Sequence, residues 1–153
     1  MARLLKQHSE ERRITYSLVY TGLFFALDLP FPIAGIDWKA KKADIIGTGD
    51  ALFSVTHVDD IGRYLDAMFK RPEITENKQV RIVGDTSTAN ALLEKFEKKV
   101  GEKFEVTRQD AQVVFKKLHR ALDQRDYDTY FANAIPSFTG LGVSHLSVRV
   151  SNC

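Results

Sequence analysis

Residues Ile14 to Tyr20 read ITYSLVY, a nearly continuous run of β-branched and aromatic side chains. A strand with water on one face alternates apolar and polar residues, whereas a strand covered on both faces does not need to. Just upstream, Leu4, Leu5 and His8 share one side of residues 3–12, with Lys6, Gln7, Glu10 and Glu11 on the other, which predicts a surface helix. A helix leading straight into a doubly covered strand is the order of an α/β protein with a parallel sheet.

The remainder of the chain extends that pattern. LFFALDL after Gly22 reads as helical or irregular up to Pro30 and Pro32, and PFPIAGIDWKAKK as a loop with one large anchor, Trp38. ADII and ALFSV, separated by GTGD, read as a hairpin of two short strands, because Gly47 and Gly49 supply positive φ at little cost. From Asp59 the period becomes helical, with Ile61, Leu65 and Met68 flanked by Tyr64 and Phe69, and Pro72 as the stop. Thr56 three residues before Asp59 suggests a capping pattern. VRIVG (residues 80–84) predicts a second buried strand, and Leu92, Phe96 and Val100 a helix stopped by Gly101. KFEVT predicts a short strand, and Ala111, Phe115, Leu118 and Leu122 a further helix. Beyond Asp123 the signal weakens to a short helix near Tyr127 and a strand near Leu146 to Val150.

A dinucleotide loop needs a strand, glycines at the first, third and sixth places, and a helix opening at once so that its amides meet the pyrophosphate. IIGTGD offers Gly47 and Gly49, but Leu52 holds the sixth place and FSVT continues as a strand. No Gly-x-x-x-x-Gly-Lys loop occurs elsewhere. The sequence therefore predicts a turn here and no cofactor site.

Composition narrows the function classes. With 153 residues, 44% apolar and 27% charged, the chain has the size and make-up of a single globular domain. A net charge of +2 without a Lys/Arg run argues against nucleic-acid binding. The run Ile14 to Leu29 is too short for a membrane span and contains Asp28, so no membrane partner is expected. MARLLKQHSEERR lacks the apolar core of a secretory signal, and the single Cys153 allows no disulfide within the chain, so a cytoplasmic setting is expected. His8, His57, His119 and His145 are too scattered for a metal signature.

Three blocks, ITYSLVYTGLFF, GTGDALFSVTHVDDIGRYLDAMFKRPE and VRIVGDTSTANALLEKFEKKVGEKFEV, occur in an order that resembles the NmrA-like and isoflavone-reductase-like branch of atypical short-chain dehydrogenase/reductases. The resemblance spans roughly residues 3 to 108 and matches the family's second half only. It implies a partial Rossmann-like sheet of two parallel strands with flanking helices, plus a small substrate lobe with a β-hairpin and helices. It also implies relatedness to NAD(P)-dependent oxidoreductases acting on hydrophobic small molecules, with NADP(H) as the cofactor of full-length members. TGLFF is similar to the loop that reaches toward nicotinamide and substrate, which makes Tyr20, Thr21, Gly22, Phe24, Phe25 and Trp38 the candidate substrate contacts.

The family's glycine-rich loop has no counterpart in this sequence. Its active-site lysine would fall near Ala2, with Lys6 one turn too late, and no Tyr-x-x-x-Lys pair exists. No cofactor is expected for this chain alone, and the expected function is a protein related to oxidoreductases acting on hydrophobic small molecules, without autonomous redox activity; the setting of the isomerase alternative that follows is secondary metabolism. His57 and Tyr20 are the candidate catalytic groups for an alternative, a cofactor-independent isomerase or cyclase; a regulatory or interaction module is the other. His57 reads more simply as a half-exposed structural histidine before a helix, since spacing fixes no partner carboxylate or nucleophile, and Asp59 and Asp60 read as dipole-complementing residues rather than an acid/base pair. The family's sheet places a further strand beside ITYSLVY. Without it an apolar edge is open, which predicts a homodimer through that edge, cover by the C-terminal segment, or low solubility.

Overall fold

The computed structural model describes residues 1–11, 13–26 and 32–140, with the side chains at 132, 135–138 and 140 left aside. In chain order the elements are α1 (Ala2–Glu10), β1 (Ser17–Tyr20), β2 (Leu23–Phe25), β3 (Ile36–Asp37), β4 (Lys42–Ile46), β5 (Phe53–His57) and α2 (Val58–Lys70). There follow α3 (Pro72–Thr75), β6 (Lys78–Arg81), β7 (Asp85–Ser87), α4 (Ala89–Val100), β8 (Glu105–Gln109), α5 (Ala111–Asp123) and α6 (Tyr127–Gly140). The described residues fall into two compact units, the first made of Met1–Ala26 and Ser54–Asp85, the second of residues 32–53 and 86–140.

The first unit contains two parallel strand pairs. β1 runs beside β6 with Ser17 opposite Lys78 and Tyr20 opposite Arg81. β2 runs beside β5 with Leu23 opposite Val55 and Phe25 opposite His57. The parallel sheet predicted from ITYSLVY is therefore present, with two differences. β1 is not covered on both faces: Ser17 and Tyr20 are exposed and Leu18 and Val19 half-buried. The reason is that β1 has a strand on one side only among the described residues, and α2 contributes no buried side chain over it. The second strand begins two residues before VRIVG, at Lys78, and is not the buried strand expected: Lys78, Gln79 and Arg81 are exposed and Val80 half-buried, with Ile82 buried just beyond its end. LFF is a strand rather than helical or irregular, because pairing with β5 satisfies its backbone.

The second unit holds the larger core. β3 and β4 form an antiparallel hairpin, and β4 also runs parallel to β8 over five residue pairs from Lys42–Glu105 to Ile46–Gln109. The expected hairpin between ADII and ALFSV does not form: β4 pairs with β3 and β8, β5 pairs with β2, and the glycine turn connects two different sheets. The hairpin of this fold lies instead at Ile36–Ala43, where the Asp37 carboxylate accepts the amides of Lys39 and Ala40 and closes the turn. Ile36, Ala43, Ile45, Leu93, Phe96, Phe104, Val114, Leu118 and Ala121 are buried here.

The helices α4 and α5 start and stop where side-chain chemistry directs. Thr88 caps α4 by accepting the Ala91 amide, and Gly101 closes it in the left-handed conformation at φ +79°. Asp110 caps α5 by accepting the amides of Gln112 and Val113. The buried stripe of α5 is Val114, Leu118 and Ala121, one position round from the predicted face, so Phe115 and Leu122 are largely exposed. The expected helix near Tyr127 is α6, 14 residues long. The strand expected at Leu146–Val150, together with His145, Cys153 and Asp28, lies outside the described residues.

Candidate functional site

In open α/β sheets ligands collect at the carboxyl ends of the parallel strands. In the first unit those ends are Tyr20 and Arg81, opposite each other on β1 and β6, and Phe25 and His57, opposite each other on β2 and β5. Thr56, fully buried, joins the two pairs. Its hydroxyl donates to the Thr21 carbonyl at 2.7 Å, with the Ile82 carbonyl at 3.3 Å as a second acceptor, and accepts the Gly84 amide at 3.3 Å. One side chain thereby ties the TG turn after β1 to the segment after β6. This role is not legible in the sequence, where Thr56 reads as a helix cap.

Gly22 makes the turn possible. It sits at φ +67°, and a side chain there would overlap the Ser54 carbonyl oxygen. The same turn exposes two of the predicted aromatic contacts, with Tyr20 40% and Phe24 55% exposed, while Phe25 is half-buried with its ring centroid 6.1 Å from that of His57. Tyr20, Thr21, Gly22, Phe24, Phe25 and His57 thus all belong to one unit and to its strand ends. Trp38 belongs to the second unit, on the hairpin turn, where Lys39 stands 5.7 Å over its ring. Arg81, exposed beside Tyr20, was not among the residues singled out from sequence; only the strand register reveals it.

His57 is the N-cap of α2. Its Nδ1 accepts the Asp59 amide at 3.3 Å, and the Asp59 carboxylate lies 3.7 Å away. This replaces the Thr56 cap expected from sequence. With Nδ1 engaged as an acceptor, neutral His57 carries its hydrogen on Nε2 and can donate there but not accept. The geometry serves helix capping directly and proton abstraction poorly. Among the described residues no hydrogen bond, ion pair or ring contact joins His57 to Tyr20.

The glycine turn lies in the second unit and is closed by its own polar network. Gly47 donates its amide to the Gln109 carbonyl, and the Gly49 carbonyl accepts the Asn90 amide at the start of α4. The Asn90 side-chain amide donates to the Thr48 carbonyl at 2.9 Å and to Asp50 at 2.7 Å. Arg108 donates to the Thr48 carbonyl at 2.7 Å and to the Asn90 side-chain oxygen at 3.0 Å. A pyrophosphate loop offers free amides at a helix N-terminus. Here that N-terminus is filled by the turn's own carbonyl and by Thr88, and the turn leads into β5. Among the described residues this turn does not fit the pyrophosphate of a dinucleotide. Nor do they contain three His, Cys, Asp or Glu side chains grouped to hold a metal ion. No helix among them is long and apolar enough to cross a membrane.

A family model described as the NmrA-like family matches residues 7–139. An oxidoreductase of Penicillium oxalicum, poxI, is 29% identical over 86 residues, which is 56% of this chain and 27% of that protein. Among solved structures, an isoflavone reductase superposes with a TM-score of 0.70 at 19% identity, covering 96% of this chain and 48% of that one. A complex of leucoanthocyanidin reductase with NADPH from Vitis vinifera gives 0.69 at 16% identity, covering 98% and 48%. At these identities the two structures establish a reductase-like α/β fold, and the chain spans just under half of their length.

Proposed function

The chain belongs to the NmrA-like family, related to NAD(P)-dependent oxidoreductases, and from that premise we propose that it supplies the substrate side of such a protein without holding the dinucleotide itself. The observation that carries this reading is the closure of the Gly47–Asp50 turn by Asn90 and Arg108, which leaves no free helix N-terminus behind a glycine loop. The ligand side is the strand-end turn, where Tyr20, Thr21, Gly22, Phe24 and Phe25 offer aromatic surface to a hydrophobic small molecule; Trp38 is a further proposed contact. A cytoplasmic setting goes with this reading.

Thermal unfolding with and without NADPH tests it. A cofactor bound at micromolar Kd and supplied at a hundredfold excess raises stability by about 2.7 kcal/mol. The expected shift is nil. A clear rise would show that a dinucleotide site exists in this chain. The outer side of β1, which has no strand partner among the described residues, supports a second reading, an interaction module, in which the same turn serves partner recognition rather than substrate. The isomerase reading asks His57 to accept a proton at a ring whose accepting nitrogen already caps α2.

A further inference from the structure

β1 and β6 run in the same direction, so residues in register carry their side chains on one face of the pair. Ser17 and Val19 line a groove against α2, which puts Leu18 and Tyr20 on the opposite face, together with Gln79 and Arg81 of β6. Tyr20 and Arg81 end that face at the carboxyl side, and the spacing of neighbouring strands sets their backbones about 4.8 Å apart. One hydroxyl holds the chain just beyond both. Buried Thr56 donates to the carbonyls of Thr21 and Ile82, the residues that follow Tyr20 and Arg81, and the Tyr20 carbonyl accepts the Ile82 amide at 2.8 Å. A phenol and a guanidinium are thus set side by side on a fixed support.

Charge singles out Arg81. Arg63 holds Asp60 at 3.0 Å and Arg71 holds Glu73 at 3.3 Å, so both of those guanidiniums are occupied within the first unit. The Arg81 guanidinium is exposed and has no hydrogen-bond or ion-pair partner among the described residues. A guanidinium presents a planar fork that matches a carboxylate through two parallel hydrogen bonds, and a neighbouring phenol can donate a third. The other cation of β6, Lys78, lies at the far end of the strand and donates to the Ile74 carbonyl. One fork and one phenol suit a monoanion with two oxygens better than a doubly charged phosphate.

We propose that the strand-end site takes a hydrophobic small molecule bearing a carboxylate. Arg81 grips the carboxylate, Tyr20 donates to it, and Phe24, 55% exposed beyond the Thr21–Gly22 turn, meets the apolar body. This rests on the reading of that turn as the ligand side, and adds the charge of the ligand and the residue that selects it. Arg81 binds and orients; no proton or electron transfer is assigned to it.

NMR titration of the full chain at pH 7 tests the proposal, with benzoate, benzamide and phenyl phosphate as probes and the amides of Thr21, Gly22 and Ile82 as reporters. Benzoate is expected to shift all three, and benzamide to bind at least about tenfold more weakly. Arg81→Gln brings benzoate down to the benzamide level, and Arg81→Lys, which keeps the charge without the fork, falls between. Equal binding of benzoate and benzamide at the turn, unchanged in Arg81→Gln, overturns the carboxylate proposal and leaves the reading of an apolar ligand standing. A preference for benzoate that survives Arg81→Gln overturns it by placing the anion elsewhere. Tighter binding of phenyl phosphate than of benzoate also overturns it. No shift at the turn with any probe removes the proposal and the ligand reading together.

Discussion

Two glycines show what single residues decide in this chain. Gly22 and Gly49 both hold left-handed φ, at +67° and +82°, but their surroundings differ. Beside Gly22 the obstacle is the Ser54 carbonyl, which belongs to backbone and cannot swing aside. Beside Gly49 it is the Asn90 side-chain oxygen, at 2.6 Å from an added Cβ, with the Ile45 methyl at 2.9 Å. Asn90 can move only by giving up its bonds to Thr48 and Asp50. Urea titration should therefore find Gly49→Ala destabilised by about 2 kcal/mol, from strained φ plus a loosened network, and Gly22→Ala by about 3 kcal/mol or more. Equal losses would contradict the distinction between backbone and side-chain obstacles. The sequence made Gly47 and Gly49 legible as backbone residues. It hid Asn90 and Arg108, which reach Thr48 from 42 and 60 positions away and leave no local pattern.

At the scale of elements, periodicity found α2, α4 and α5, and it missed wherever a neighbour rather than the element itself sets burial. The face of α5 rotated by one residue for this reason, and the cap of α2 moved from Thr56 to His57 because β5 claims Thr56 for the core. The turn from α4 into β8 depends on charge. Glu97, whose side chain is 11% exposed, accepts from the Lys103 ammonium at 2.6 Å and from the Phe104 amide at 3.0 Å. The Lys103 hydrogen bond, followed by that of Phe104, holds the Glu97 carboxyl below its ordinary 4.5. The folded chain then binds fewer protons at this site than the unfolded chain, so the contribution is present above pH 4.5 and is lost as pH falls through the lowered folded value. Lys103 is raised above 10.5 by the same contact, so its own contribution is lost only in strong alkali. Glu97→Gln should be less stable than the unchanged chain at pH 7, with the gap closing as both are titrated below pH 4.5. A gap independent of pH in denaturant titrations would assign the loss to packing.

Across the whole molecule the two units bury apolar surface unequally. Of the buried hydrophobic residues, Ala26 and Ile82 belong to the first unit, while Ile36, Ile45, Leu93, Phe96, Phe104, Val114 and Leu118 belong to the second. α1 and α2 contribute no buried side chain at all. ITYSLVY read as a doubly covered strand because its composition suits one, and composition does not say whether the covering partner is supplied by the same residues. That is why the parallel sheet was legible and the exposure of Ser17 and Tyr20 on it was not. Since local stability follows buried contacts, the first unit should open at lower denaturant than the second. The sole tryptophan, Trp38, lies in the second unit and reports on it alone, whereas far-UV circular dichroism includes α1 and α2. In urea at low protein concentration the ellipticity should begin to fall before the fluorescence changes, breaking the coincidence that two-state unfolding requires. Superimposed curves would mean that the first unit draws its stability from contacts other than the ones its own buried residues make.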